Sequence, residues 1–139
     1  MRRNGVSGFT LIEMMIVTEI IAIMVAVTYP SLMRQRIQTN EAAAVQNLHQ
    51  ICGSQITFNS ANGRYGTLEE LCADTGHQGT SFLSGNWAEN VLKDGYNYTS
   101  ENITDVTFKF TATPAVPGKS GIRTFTTDDS GMISHTPED

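Results

Sequence analysis

Four carboxylates and two thiols stand where their chemistry asks for a partner. Glu13 and Glu19 lie inside a run from Phe9 to Tyr29 that otherwise holds Ile, Val, Met, Leu, Ala and three Thr, with no Lys, Arg or His. A carboxylate in such surroundings costs about 2.5–3.5 kcal/mol at a bilayer centre, so its chemistry is ion pairing with a cation brought from elsewhere. Cys52 and Cys72 can join as a disulfide, closing a loop of about 20 residues worth on the order of 3 kcal/mol in an oxidising compartment. They also read as two buried free thiols; they are too few for a disulfide-rich scaffold, and their spacing fits no zinc pattern. Asp128-Asp129-Ser130-Gly131 reads as a tight turn and, more weakly, as a calcium loop, because a hard cation wants about six to eight oxygens and two adjacent carboxylates supply few.

The other reactive side chains form no constellation. His49, His77 and His135 are far apart with no ligand spacing, and read as surface or capping residues. There is no glycine-rich phosphate loop, no nucleophile elbow and no convergent acid–base pair, so we expect neither an enzyme nor a bound cofactor or metal. Phe9, Tyr29 and Phe58 are too widely spaced along one helix for a continuous path of stacked rings.

The element that positions the two glutamates is a helix. From Phe9 to Tyr29 the 21 residues, at about 1.5 Å each, reach roughly 30 Å, the thickness of a bilayer core. The preceding MRRNGVSG carries Arg2 and Arg3, which predict a cytoplasmic N-terminus and an exported remainder. A secretory signal peptide would need a small-residue cleavage site after the run, and "VAVTYPSL" supplies a poor one. The cation that could reach Glu13 is an amino terminus, and a cut between Gly8 and Phe9 would create it.

Beyond Pro30 the pattern turns amphipathic. Ile37, Val45, Leu48, Ile51 or Cys52, and Ile56 recur at three- and four-residue steps, with Gln35, Gln38, Glu41, Gln46, Asn47 and Gln50 between them. The helix is predicted to run to about Asn59, where Asn62-Gly63 is a stop signal. Thr67 and Glu70 form a predicted capping box opening a short helix with Leu68 and Leu71 on its apolar face. "NWAENVLKDG" reads as another short helix ended by Gly95, with Trp87 as a core anchor. "YNYTSE", "DVTFKFTATP" and "GIRTFTTDDSGMISHT" alternate with period two and read as strands, with Val106, Phe108 and Phe110 on one face and Ile122 and Phe125 in the third; a short last strand covers Met132 to His135. The fold class is α+β: a long N-terminal helix whose second half packs on an antiparallel sheet of three to four strands. The expected organisation is a leader at 1–8, an apolar half-helix at 9–29, an amphipathic half at 30–60 and a globular head at 61–139.

Charge narrows the partners. Nine Lys and Arg stand against fourteen Asp and Glu, a formal net charge of −5, and without Arg2 and Arg3 seven stand against fourteen, or −7. Phosphate affinity needs clustered cations, whereas Arg64, Lys93, Lys109, Lys119 and Arg123 are scattered, which argues against nucleic acid.

The stretch Gly8-Phe9-Thr10-Leu11-Ile12-Glu13 strongly resembles the cleavage motif of bacterial type IV prepilins and type II secretion pseudopilins, and the short basic leader fits it. The resemblance covers about residues 1–30. It implies cleavage after Gly8 by a membrane prepilin peptidase, N-methylation of Phe9 by the same enzyme, and pairing of Glu13 with the Phe9 amine of a neighbouring subunit. Pro30 matches the proline that kinks the family's helix. The implied partners are other copies of the chain, the peptidase, an inner-membrane assembly platform and, before assembly, inner-membrane lipid; the implied locations are inner membrane, then surface pilus or periplasmic pseudopilus. Three readings follow: pilus subunit, secretion pseudopilin, or a membrane-anchored minor pilin whose head binds DNA or a surface.

Glu19 departs from that pattern, which has an apolar residue there. Six residues at about 100° each place it about 120° around the helix from Glu13, so one partner cannot serve both. Either it makes a second contact between subunits, with a Thr hydroxyl or another charged subunit, or it is protonated and tolerated.

Overall fold

The computed structural model describes residues 8–73 and 81–137. His77 and the leader residues before Gly8 lie outside them. The chain divides into two compact units, one ending at Gln35 and the other beginning at Arg36.

Helix α1 runs over Leu11–Asn62 and continues through Pro30. Proline has no N–H to give the Ala26 carbonyl, yet the helix is continuous on both sides. In the first unit the large apolar side chains, among them Leu11, Ile12, Ile16, Ile20, Ile23 and Val27, are exposed. This stretch is long and apolar enough to cross a membrane.

The second unit is an α+β head. Short helix α2 spans Leu68–Cys72, and five strands follow: β1 (Val91–Lys93), β2 (Tyr96–Glu101), β3 (Lys109–Pro114), β4 (Arg123–Asp128) and β5 (Ile133–Pro137). They form one antiparallel meander in the order β1-β2-β3-β4-β5. Alternation puts Tyr96 and Tyr98, Phe110 and Ala112, and Phe125 and Thr127 on the inner face, where Ala44, Leu48, Ile51, Cys52 and Phe58 of α1 meet them. Trp87 is buried edge-to-face against Tyr98, with centroids 5.2 Å apart, and its indole N–H donates to the Ser84 carbonyl at 3.2 Å.

Several sequence expectations change. The sheet has five strands rather than three to four, because the segment read as a helix at "NWAENVLKDG" is an irregular lead-in followed by β1. Asp94 and Gly95 have φ of 51° and 78°, the left-handed pair of a two-residue hairpin turn, and they fold Lys93 back onto Tyr96. The Asp-Gly hairpin signal outranks the helical spacing. Val106 is exposed rather than on the core face: hydrogen bonds between Thr104 and Thr107 close a turn there, and β3 begins only at Lys109. Ile122 also lies outside its strand and is half exposed. On α1 the buried stripe is Glu41, Ala44, Leu48, Ile51, Cys52, Ser54, Gln55 and Phe58, while Ile56 is exposed. The capping box of α2 stands as read: Glu70 N–H donates to Thr67 Oγ1 at 3.3 Å, and Thr67 N–H to Glu70 Oε2 at 3.0 Å.

A Cβ on Gly95 would sit 2.8 Å from Asn40 Nδ2 and 3.0 Å from Ser120 Cβ, on a backbone with φ of +78°. Asn40 donates to the Ser120 carbonyl at 2.8 Å, so the helix, the hairpin turn and the β3–β4 loop meet at this glycine. Gly95→Ala is expected to destabilise the protein by about 1–3 kcal/mol, and Trp87→Ala by about 3–5 kcal/mol. Denaturant unfolding followed by circular dichroism checks both.

Candidate functional site

The first site is the start of α1. Thr10 and Glu13 stand in the Thr-x-x-Glu spacing of a capping box, and both halves are made. Glu13 N–H donates to Thr10 Oγ1 at 3.2 Å, Thr10 N–H donates to Glu13 Oε2 at 2.9 Å, and the Thr10 hydroxyl donates to the same oxygen at 2.8 Å. The sequence reading gave Glu13 only a distant cation; the Thr10 signal was legible by the rule used for Thr67 and Glu70. Two donors next to Phe9 thus hold the carboxylate toward the end where cleavage after Gly8 would place an amine. Gly8 is exposed, with open space around its Cα, so the bond to Phe9 stands clear of the fold.

Glu19 receives no such help. The other two threonines of the apolar run spend their hydroxyls on their own helix: Thr18 donates to the Met15 carbonyl at 2.9 Å and Thr28 to the Met24 carbonyl at 2.8 Å.

The second site is a groove of about 760 Å³ in the head, between α1 and β4–β5. Val45, Phe125 and Ile133 form its apolar floor, and Glu41, Arg123, His49 and His135 its polar rim. The two histidines, unconnected in sequence, share this groove because His49 lies on the helical row of Gln38, Ala42 and Val45 while His135 sits on β5 opposite Phe125. At its edge the Glu41 carboxylate, nearly buried, takes the Arg123 guanidinium at 2.5 and 3.0 Å and the Ile122 N–H at 3.1 Å. Burial pushes the Glu41 carboxyl up, but these donors hold it below its ordinary range, and Glu41 in turn raises Arg123.

The head cations are mostly spent internally. Arg64 pairs with Glu70 at 2.7 Å, Lys109 with Glu101 at 2.9 Å and Arg123 with Glu41, while Lys93 lies 4.0 Å over the Trp87 ring. Of the five cations read from the sequence, four are engaged in this way.

Cys52 and Cys72 are free thiols with different surroundings. Burial raises both; Cys52 lies beside Thr127, whereas Cys72 lies by the Trp87 backbone and Lys93. Asp128 is occupied by its own turn: its Oδ1 accepts from Ser130 N–H at 3.0 Å and Ser130 Oγ at 2.5 Å, which holds it below the ordinary carboxylate range, while Gly131, at φ 74°, lets the chain reverse into β5. Among the described residues no three His, Cys, Asp or Glu side chains gather as a metal set.

Residues 3–29 match the family model described as the prokaryotic N-terminal methylation motif. The match supports a pilin-like or pseudopilin substrate of a prepilin peptidase, with an N-terminal apolar helix fitting an inner-membrane-anchored precursor and a structural rather than enzymatic role. The head, from Arg36 on, lies outside the matched stretch. No curated protein matches the chain.

Because Glu41 has a lowered carboxyl in the fold, its contribution is present above the unfolded value near 4.5 and is lost as pH falls through the folded value. Glu41→Gln keeps an acceptor for Ile122 but drops the charge beside Arg123, which is half exposed. The expected loss is about 1–2 kcal/mol at pH 7 and smaller at about pH 3. Urea titrations of both proteins at the two pH values measure it.

Proposed function

We propose that the chain is a structural subunit of a type IV pilus-like surface filament: held in the inner membrane by residues 9–29, cleaved after Gly8, N-methylated at Phe9, and assembled by helix packing with its head outward. The methylation-motif match over residues 3–29 carries this reading. The exposed apolar half of α1 supports it, because that surface must be kept from water, at about 25 cal/mol per Å², first by lipid and then by neighbouring helices. In this reading Glu13 changes partners. The Thr10 donors hold its carboxylate in the precursor and in the membrane, and the Phe9 amine of an adjacent subunit neutralises it when the helices pack.

The occupied Asp128 turn favours a pilus subunit over the calcium-dependent pseudopilin reading. Long fibres sheared from cells and containing this chain support the pilus; loss of enzyme secretion on deletion, without fibres, supports the pseudopilus. Mass spectrometry of the mature chain is expected to find methylated Phe9 as its first residue, and any other terminus overturns the proposal. Glu13→Gln is expected to leave that terminus intact and to lower the yield of sheared filaments by about tenfold or more.

A further inference from the structure

Glu19 is the charge that the proposed function leaves unexplained. It sits near the middle of the apolar run, exposed on α1, and a charge kept at that depth wants a named partner. The threonine hydroxyls of its own segment are committed, Thr10 to Glu13, Thr18 to Met15 and Thr28 to Met24. The Phe9 amine belongs to Glu13, and Arg2 and Arg3 depart with the leader. From Phe9 to Met33 there is no Lys, Arg or His, and the first cation after the run is Arg34. Arg34 is exposed and makes none of the three ion pairs found among the described residues.

These two charges cannot meet within one chain. Fifteen residues separate them, about 22 Å along a helix rising about 1.5 Å per residue. Between parallel copies they can. An offset of that size brings Arg34 of one copy level with Glu19 of the next, and the long arginine side chain, which leans toward the helix N-terminus, absorbs several ångströms of mismatch.

We propose that in the assembled filament Glu19 is paired with Arg34 of a second copy offset by about 22 Å along the helix axis. The inference rests on the filament reading and adds a partner to it. Glu13 meets the Phe9 amine across four residues, about 6 Å, so the two glutamates engage different neighbours. Two ion pairs at two offsets then constrain one helical step, and a subunit seated one turn out of register leaves a carboxylate unpaired in an apolar core. Before assembly Arg34 lies beyond the end of the apolar run, where it stays hydrated while Glu19 waits at mid-span.

The test uses the full chain in cells that process and assemble it, reading the mature N-terminus by mass spectrometry and filament yield by shearing. Arg34→Gln is expected to lower yield about tenfold with Phe9 still the mature terminus, because it strands Glu19. Adding Glu19→Gln to Arg34→Gln is expected to restore yield to within about threefold, since removing both charges leaves nothing unpaired. Arg36→Gln is expected to change little. In a separate chain, Glu19→Cys with Arg34→Cys is expected to give a covalent ladder with a flexible bis-maleimide crosslinker, whose span of roughly 10 Å exceeds the reach of a disulfide, that neither single substitution gives. Normal assembly of Arg34→Gln, failure of Glu19→Gln to rescue it, or a ladder absent from assembled filaments overturns the pairing. If the unsubstituted chain carries methylated Phe9 but builds no filament, the proposed function fails and the pairing falls with it. If the unsubstituted chain builds filaments, only the pairing is at stake.

Discussion

Among the described residues of its own unit, nothing covers the apolar face of the first half of α1. Ile, Val, Leu and Met side chains from Leu11 to Leu32 stand exposed, and no small soluble protein keeps so much contiguous apolar area in water. Two environments can take it: a bilayer, or the same face of other copies. They are nearly equal in hydrophobic terms, since lipid tails are as apolar as leucine, so hydrophobicity alone cannot move a helix from one to the other. Polar groups can. A carboxylate costly in lipid and paired in a helix bundle biases the transfer toward the bundle, and in the proposed filament Glu13 and Glu19 would both act this way.

The head solves a different problem, which is seating a polar helix face on a small sheet. Its core is aromatic, with Trp87, Tyr96, Tyr98, Phe110 and Phe125 filling the space that a small number of aliphatic side chains leaves. Around that core, single polar groups on α1 are used as fasteners. Glu41 takes Ile122 and Arg123 at the entry to β4, Asn40 takes the Ser120 carbonyl, and Asn47 reaches both Tyr98 and Asp94. The Gln55 amide holds both the N–H and the carbonyl of Gly66. Most of these fasteners bind a loop or the start of a strand, so helix polarity and loop placement are one design.

That division explains what could be read from the residues. The long helix, the α2 capping box, the sheet class and the Trp87 anchor follow from local pattern: period, cap spacing and composition each report on neighbours a few residues away. Leu48, Ile51 and Cys52 of the buried α1 stripe follow from pattern, but its polar members do not, because Glu41 and Gln55 belong to it through partners about 80 and 11 residues distant. Ile56 was misplaced for the same reason: once polar residues occupy the inner face, apolar spacing no longer marks it. The β1–β2 hairpin was legible in Asp94-Gly95 and was overridden by helical spacing on either side. At the candidate site the motif points to Gly8, Phe9 and Glu13, all within the matched residues 3–29. The shared groove of His49 and His135 was not, since only the sheet register brings β5 over that helical row.

The contrast between the two glutamates follows from their positions on one helix. At the first turn, backbone N–H groups lack intrahelical acceptors and a carboxylate can take one, as Glu13 takes that of Thr10. At Glu19 the backbone donors are already inside the helix ladder, so no backbone group remains to share a proton with it. A glutamate at a helix end can therefore wait for its counter-ion in a partly satisfied state, whereas one in the middle cannot. The same side chain is a tolerable passenger at one place and a demand at the other. That demand is met either by protonation or by a cation from another chain, and only the second gives the position a role in how copies are spaced.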